Sequence, residues 1–157
     1  MKLPDVNLFL YAVDEASPRY EPAHAWVEAT LSGSETVALA WMTLVGFVRL
    51  STRANLFEQP LEVEYALDLV DGWLNQPCVT VVHPTDRHAT VLRELLLPLG
   101  TAGNLTNDAH LAALAIEHGA TLCSCDTDFA RFQGLRWIDP LQAGRSSSRR
   151  PARATAR

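Results

Sequence analysis

The sequence lacks three features that would tie the chain to a membrane or to an oxidising compartment. No apolar run approaches the roughly 18 residues of a membrane-spanning helix. The first residues have no charged stretch leading into a long apolar segment, so no signal peptide is expected. Three cysteines, Cys78, Cys123 and Cys125, are too few and too unevenly spaced for a disulfide framework. We therefore expect a cytoplasmic protein with reduced thiols and no membrane association.

Acidic residues are missing from one end of the chain. Residues 142–157 contain five arginines and no Asp or Glu. Removing those five from the 13 Lys and Arg leaves 8 against 18 acidic residues, a net charge of −10 for residues 1–141. The basic segment has no hydrophobic periodicity, so we predict one domain at 1–141 and a disordered tail at 142–157. An acidic domain argues against binding nucleic acid by charge alone and is compatible with a cation-dependent site.

Short apolar segments of strand length alternate with helical segments along residues 1–141. The predicted strands cover residues 3–7, 36–40, 79–82, 121–125 and 135–138, and the segments between them have mainly helical spacing of apolar residues. One of these helices is predicted to open at Gln59-Pro60. This alternation predicts an α/β domain with a mainly parallel sheet covered by helices on both faces.

Three aspartates are expected to meet at one edge of that sheet. Asp5 ends the first predicted strand, Asp126 ends the fourth, and Asp108 stands at the start of a helix. Functional crevices of open parallel sheets lie beyond the carboxyl ends of the strands, and Asp128 is near enough to join the group. Two carboxylates about 4 Å apart repel by about 4 kcal/mol at an effective dielectric of about 20. Mg²⁺ or Mn²⁺ would relieve that repulsion and would support phosphodiester hydrolysis.

A simpler interpretation exists for each of these residues. An aspartate at a strand end or before a helix is often a turn former or a helix N-cap. For any single aspartate here the cap is the favoured interpretation, whereas their shared position at one edge favours a metal site. The spacing alone does not decide between the two.

Four segments resemble a known family. They are LPDVN at 3–7, GFVRLST at 46–52, NDAHLAALA at 107–115, and CDTDFARF at 125–132 followed by GLRW at 134–137. On these segments the chain resembles the PIN domain, specifically the VapC-type ribonuclease toxins of bacterial type II toxin–antitoxin systems. The resemblance implies a three-layer α/β/α fold with four to five strands. It also implies Mg²⁺-dependent endoribonuclease activity, with Mn²⁺ as a substitute, in which metal-activated water hydrolyses an RNA phosphodiester bond.

The resemblance also implies roles for the acidic residues. Asp5 and Asp108 would be the principal metal ligands, and Asp126 would complete the catalytic cluster. Asp128 would support the site as a further ligand, as a contact to water or as a loop cap.

The resemblance also implies supporting roles for residues around these aspartates, and for Arg49 two alternatives stay open. Asn7 and Thr127 would orient the carboxylates through hydrogen bonds. Arg49 is a candidate phosphate contact, with a surface ion pair as an equal alternative. Many family members have a Glu three residues before this arginine, where the chain has Gly46. Because glycine offers no side-chain ligand, we expect one well-held ion, with any second ion arriving with the RNA.

The family resemblance implies partners as well. These are an antitoxin encoded nearby, whose C-terminal segment covers the acidic crevice, and a structured RNA substrate such as tRNA or rRNA. A homodimer is also expected, with Trp41, Leu44 and the helix at 61–73 as candidate surfaces. Two alternatives remain open. One is a catalytically silent PIN-like module that binds RNA or a partner, which Gly46 suggests, and the other is a phosphatase of small monoesters.

Overall fold

A parallel sheet of five strands organises the computed structural model, which describes residues 1–54 and 56–142. The strands are β1 (Lys2–Pro4), β2 (Val37–Ala40), β3 (Val79–Val82), β4 (Thr121–Cys123) and β5 (Trp137–Ile138). Their order across the sheet is β3-β2-β1-β4-β5, and every neighbouring pair is parallel. The prediction of a mainly parallel sheet is confirmed.

Helices fill the connections between the strands. Within the described residues they are α1 (Val6–Val13), α2 (Tyr20–Leu31), α3 (Trp41–Ser51), α4 (Val63–Leu74), α5 (His88–Leu96) and α6 (Thr106–Glu117). A short 3₁₀ turn at Thr127–Arg131 lies between β4 and β5. None of the described helices is both long and apolar enough to cross a membrane.

Each face of the sheet packs against its own apolar core. Along β2 the side chains alternate, as they must in an extended strand. Ala38 and Ala40 pack in the core that contains α5 and α6. Val37 and Leu39 pack in the core that contains residues of α1, α2, α3 and α4. Helices therefore cover both faces, and the predicted three-layer α/β/α architecture is confirmed.

Small side chains let α6 lie close to the sheet. Six of its twelve residues are buried, namely Ala109, Leu111, Ala112, Ala113, Leu114 and Ala115. A helix that is apolar around most of its surface is typical of a core element rather than a surface one. This packing fixes the position of the first turn of α6, which contains Asp108, relative to the sheet.

Several element boundaries differ from the sequence prediction. Three strands are shorter than expected, at Val37–Ala40, Thr121–Cys123 and Trp137–Ile138. Two further differences follow from specific hydrogen bonds. The first strand ends at Pro4 rather than continuing to residue 7, because Asp5 accepts a hydrogen bond from the backbone N–H of Val6 and caps α1. The helix expected from Gln59-Pro60 begins at Val63. Before it, the chain turns back so that the N–H of Leu61 donates to the carbonyl of Ser51 at 2.9 Å.

The predicted basic tail is not part of the described fold. Apart from residue 142, the segment at 142–157 lies outside the described residues. All the strands and helices given above lie within residues 1–141, and the boundary between domain and tail stays a prediction.

Phe47 on α3 lies in the core that also contains residues of α1, α2 and α4. We expect a large-to-small substitution at this position to destabilise the fold strongly. Phe47 is fully buried, and its ring lies 4.7 Å from that of Trp73. We expect Phe47→Ala to lower the free energy of unfolding by about 3–5 kcal/mol, because the cavity left behind cannot collapse fully. Urea denaturation measures this change. Val45 on the same helix is 60% exposed, so Val45→Ala should stay within about 0.5 kcal/mol of the parent. Equal effects of both variants would contradict this account of the core.

Candidate active site

Aspartates from three parts of the chain meet at the carboxyl edge of the sheet. Asp5 directly follows β1, and its backbone N–H donates to the carbonyl of Cys123 at the end of the neighbouring β4. Asp126 follows β4 three residues later. Asp108 lies in the first turn of α6. Parallel strands that lie side by side bring their carboxyl ends together, and α6 adds the third residue to this edge.

Three carboxylates are close enough to share one cation. One oxygen from each of Asp108, Asp126 and Asp128 lies within 4.8 Å of the other two. We call these three residues the acidic group. Asp108 is partly buried, whereas Asp126 and Asp128 are exposed. Three carboxylate oxygens with open access to water are a donor set that suits Mg²⁺ or Mn²⁺, which prefer oxygen ligands and retain bound water.

Asp5 lies beside the acidic group and is not a member of it. Its Oδ1 accepts a hydrogen bond from the backbone N–H of Val6 at 2.7 Å. Its Oδ2 accepts hydrogen bonds from Asn7 Nδ2 and from Ser124 Oγ, both at 2.8 Å. Asp5 is therefore a helix cap, as the simpler interpretation held, and also a partly buried neighbour of the predicted metal site. Its role as a principal ligand stays a prediction.

Asn7 and Ser124 form a small hydrogen-bonded frame under the carboxylates. Asn7 Nδ2 donates to Ser124 Oγ at 2.8 Å, and Asn7 Oδ1 accepts from the backbone N–H of Cys125 at 3.3 Å. Ser124 is fully buried, and its hydroxyl also accepts from the N–H of Asp126 at 3.0 Å. One hydroxyl thus connects Asp5, Asn7 and the backbone of Asp126.

Ser124 was missed by the sequence reasoning, which assigned an orienting role to Thr127 instead. In the described residues, the side chain of Thr127 makes no hydrogen bond to the carboxylates. Asp126 itself caps the 3₁₀ turn, because its Oδ1 accepts from the N–H of Asp128 at 2.9 Å. The available signal for Ser124 was a small hydroxyl residue at the end of a buried strand, two positions before an aspartate. That signal is common in loops and carries little information alone.

Burial, together with neighbouring negative charge, raises the pKa values of Asp108 and Asp5. Burial, followed by the charges of Asp126, Asp5 and Asp128, raises the pKa of Asp108 to about 6. Burial also raises the pKa of Asp5, against the hydrogen bonds from Ser124 and Val6, which lower it. Both groups would be easier to ionise beside a bound cation, because its positive charge offsets the repulsion.

A cleft of about 310 Å³ opens between this edge and α3. Asp5 and Asp108 line one side of it, and Gly46 and Arg49 of α3 line the other. A Cβ atom added to Gly46 would approach the Cγ2 of Val6 at 3.5 Å, which is an ordinary van der Waals contact. The backbone therefore has room for a Cβ atom at position 46.

A second and larger groove, of about 870 Å³, lies among α1, α2 and α4. Its lining includes apolar residues of α2 and α4, among them Val27, Leu31 and Leu69. Acidic residues also line it, among them Asp14 and Glu28. None of the site aspartates lines this groove.

The raised pKa of Asp108 predicts a pH-dependent cost to folding in the absence of metal. An unfolded aspartate has a pKa of about 3.9, so the folded protein binds the extra proton between about pH 4 and pH 6. Stability should fall as the pH rises through this window. Asp108→Asn removes the cost and should stabilise the metal-free protein at pH 7 by about 1 kcal/mol after allowance for solvent screening.

Urea denaturation in EDTA at pH 4, 5, 6 and 7 measures the effect. The difference between Asp108→Asn and the parent should vanish near pH 4. Asp68→Asn, which changes an exposed residue of α4, serves as the matched control and should show no such trend. A parent protein that is more stable than Asp108→Asn at pH 7 in EDTA would contradict the prediction.

Known proteins are similar to this chain in sequence or in architecture. Residues 2–135 match the PIN domain family. The chain is 48% identical over 140 residues to Ribonuclease VapC37 of Mycobacterium tuberculosis (strain ATCC 25618 / H37Rv), covering 89% of this chain and 97% of that protein. It is 44% identical over 142 residues to Ribonuclease VapC33 of Mycobacterium tuberculosis (strain CDC 1551 / Oshkosh), covering 90% of this chain and 99% of that protein.

A solved structure has the same fold. VapBC2 from Rickettsia felis, bound to a DNA fragment from its promoter, aligns with a TM-score of 0.64 at 20% identity. The alignment covers 87% of this chain and 96% of the matched one. With the family match over residues 2–135 and relatives of nearly equal length at 44–48% identity, the chain belongs to the PIN domain family.

Proposed function

We propose that this chain is the toxin of a type II toxin–antitoxin system, a Mg²⁺-dependent endoribonuclease that hydrolyses RNA phosphodiester bonds. The observation that carries the proposal is the acidic group, with three carboxylate oxygens within 4.8 Å of one another beside a cleft. Relatives named ribonucleases, of nearly equal length and at 48% and 44% identity, support RNA as the substrate class. Three free thiols support action in the reducing cytoplasm.

The four aspartates would have different roles, because their surroundings differ. Asp108, Asp126 and Asp128 would hold the cation, because their oxygens already converge and two of them face solvent. When bound, Mg²⁺ supplies activation of water and neutralises the charge that develops on the phosphate. Asp5 would add negative charge beside the cation and would be the nearest candidate for a further ligand, held in place by its hydrogen bonds.

The frame of Asn7 and Ser124 would keep that arrangement rigid. Hydrogen bonds from both side chains fix Oδ2 of Asp5, and the Ser124 hydroxyl also holds the backbone N–H of Asp126. Groups that are already oriented do not have to reorganise when the transition-state charge develops, which is the main source of catalytic power in such sites.

Arg49 would bind the RNA backbone from the opposite wall of the cleft. It lines the same cavity as Asp5 and Asp108, on α3, so a phosphate held there would lie between the guanidinium and the cation site. Arginine suits this role because its planar fork of N–H donors matches the phosphate oxygens. Gly46, one turn earlier on α3, supplies no carboxylate, and we propose one tightly held ion with any second ion arriving with the RNA.

Cleavage of labelled bulk tRNA by the purified chain tests the proposal. EDTA should abolish cleavage, and Mg²⁺ or Mn²⁺ should restore it. Asp5→Asn, Asp108→Asn and Asp126→Asn should each reduce the rate about 100-fold or more, because each removes a negative charge from the site that holds the ion. Asp68→Asn, on the exposed side of α4, should cleave like the parent.

Specific outcomes separate this proposal from its alternatives. If Asp5→Asn left both RNA cleavage and growth arrest intact, the assignment of catalysis would be wrong. Binding of RNA with no cleavage at any Mg²⁺ concentration would favour a silent PIN-like module. Hydrolysis of a chromogenic phosphate monoester with RNA left intact would favour a small phosphatase.

An antitoxin is the proposed protein partner. The structural neighbour from Rickettsia felis is a VapBC complex, which supports a partner of this kind. The groove among α1, α2 and α4 suits a partner segment with apolar residues flanked by Lys or Arg, because its apolar lining is bordered by Asp14 and Glu28. An extension of that segment would reach the cleft and cover the acidic group, where an arginine could pair with the carboxylates.

We also propose that the chain forms a homodimer, through the expected surface without Leu44. Trp41 is 50% exposed and Tyr65 of α4 is 54% exposed, so both are available for contact. Leu44 is only 1% exposed and packs in the core with α1 and α4, so its expected place in a dimer surface is wrong.

Co-expression tests the partner proposal. Expressed together with the small protein encoded next to it, the chain should purify as a complex, and growth arrest should be relieved. Leu69→Arg, placed in the lining of the groove, should weaken that complex, whereas Arg93→Gln on α5 should leave it unchanged. Harmless expression of the chain alone as a monomer would count against both the toxin and the dimer.

A further inference from the structure

Arg131 is paired with the acidic group. Its Nη1 lies 3.5 Å from Oδ1 of Asp128, three residues earlier on the same 3₁₀ turn. The two side chains are 46% and 51% exposed. Across the part of the chain that the structure describes, no other ion pair reaches the acidic group. The pair was not anticipated from the sequence.

The pair is not needed to hold the turn together. The N–H of Asp128 already donates to Oδ1 of Asp126 at 2.9 Å, which caps the turn at its start. A separation of 3.5 Å also exceeds the roughly 2.7–2.9 Å of a strong charge-assisted hydrogen bond. Water screens an exposed pair of this kind, so its contribution to folding is small and the pair can exchange readily.

A divalent cation would compete with Arg131 for the same carboxylate. Asp128 contributes one of the three converging oxygens of the acidic group. A cation bound there would attract that oxygen and repel the nearby guanidinium. Because Arg131 is exposed, its side chain can leave Asp128 without breaking a buried contact.

The freed guanidinium would remain beside the place where an RNA phosphate has to bind. Arg131 ends the 3₁₀ turn that begins next to Asp126, so its backbone stays at the rim of the site. An RNA phosphate that approaches the cation brings negative oxygens to this rim. A planar guanidinium can donate two parallel hydrogen bonds to such a group.

We propose that Arg131 changes partner during the reaction cycle. It pairs with Asp128 in the metal-free protein, and it binds an RNA phosphate once a divalent cation has taken Asp128. The inference rests on the proposed function and adds to it a second substrate-binding arginine besides Arg49.

The first test measures the affinity for Mn²⁺ in the absence of RNA. Electron paramagnetic resonance reports the concentration of free Mn²⁺ during a titration. Arg131→Gln keeps the length of the side chain roughly and removes its charge. This variant should bind Mn²⁺ about 1.5- to 5-fold more tightly than the parent, because a competitor for Asp128 is gone. Arg93→Gln makes the same change of charge on α5, outside the lining of the cleft, and should bind like the parent.

RNA cleavage gives the second test, with labelled bulk tRNA as the probe. Arg131→Gln should raise KM about tenfold and leave kcat within about twofold, because the lost contact is to a charged phosphate. The dependence of log(kcat/KM) on log salt should become shallower by about one unit. Arg131→Lys should restore the Mn²⁺ affinity of the parent and only part of the KM, because a lysine keeps the charge and lacks the planar fork.

For the inference to stand, Arg131→Gln must bind Mn²⁺ more tightly and RNA more weakly than the parent. A loss of both Mn²⁺ affinity and RNA affinity in Arg131→Gln would mean that Arg131 is structural, which overturns the inference. No change in either would mean that Arg131 has no part in the cycle, and that also overturns it. If the parent itself bound no Mn²⁺, the proposed function would fail together with this inference.

Discussion

Repulsion among carboxylates at the carboxyl edge of the sheet is the interaction on which the site depends. Four aspartates lie near one another there, and burial together with the charges of the other three raises the pKa of Asp108 to about 6. Such an arrangement costs free energy when no cation is present, so the rest of the fold has to hold it in place. A hard divalent ion bound there would offset this cost, because each carboxylate would then face a positive charge.

The scaffold resists the repulsion from two directions. Apolar packing of α6, whose alanines lie against the sheet, holds Asp108 at the edge independently of its charge. Hydrogen bonds hold Asp5 and Asp126 through Ser124, a fully buried residue whose hydroxyl has all of its donors and acceptors used. The more exposed part of the site, around Asp128 and Arg131, is the part left free to exchange partners.

Much of this could be predicted from local patterns. The segment at 79–82 is a strand with the bounds expected, because a run of apolar β-branched residues between turn formers leaves little choice. The start of α4 was not predicted, because a tertiary hydrogen bond decides it: the N–H of Leu61 donates to the carbonyl of Ser51. Leu44 was expected on a surface and is buried, because helical spacing alone does not say which apolar stripe of α3 faces the core.

The sequence by itself determined the layers of the fold and the convergence of the aspartates, because parallel strand ends and a helix start share one edge. The tertiary structure alone decided which carboxylate oxygens converge. One oxygen from each of Asp108, Asp126 and Asp128 lies within 4.8 Å of the other two, whereas Oδ2 of Asp5 accepts a hydrogen bond from the Ser124 hydroxyl, 119 residues away in the chain. Hydrogen bonds across such distances leave no periodic trace in a sequence, since only folding brings their donors and acceptors together.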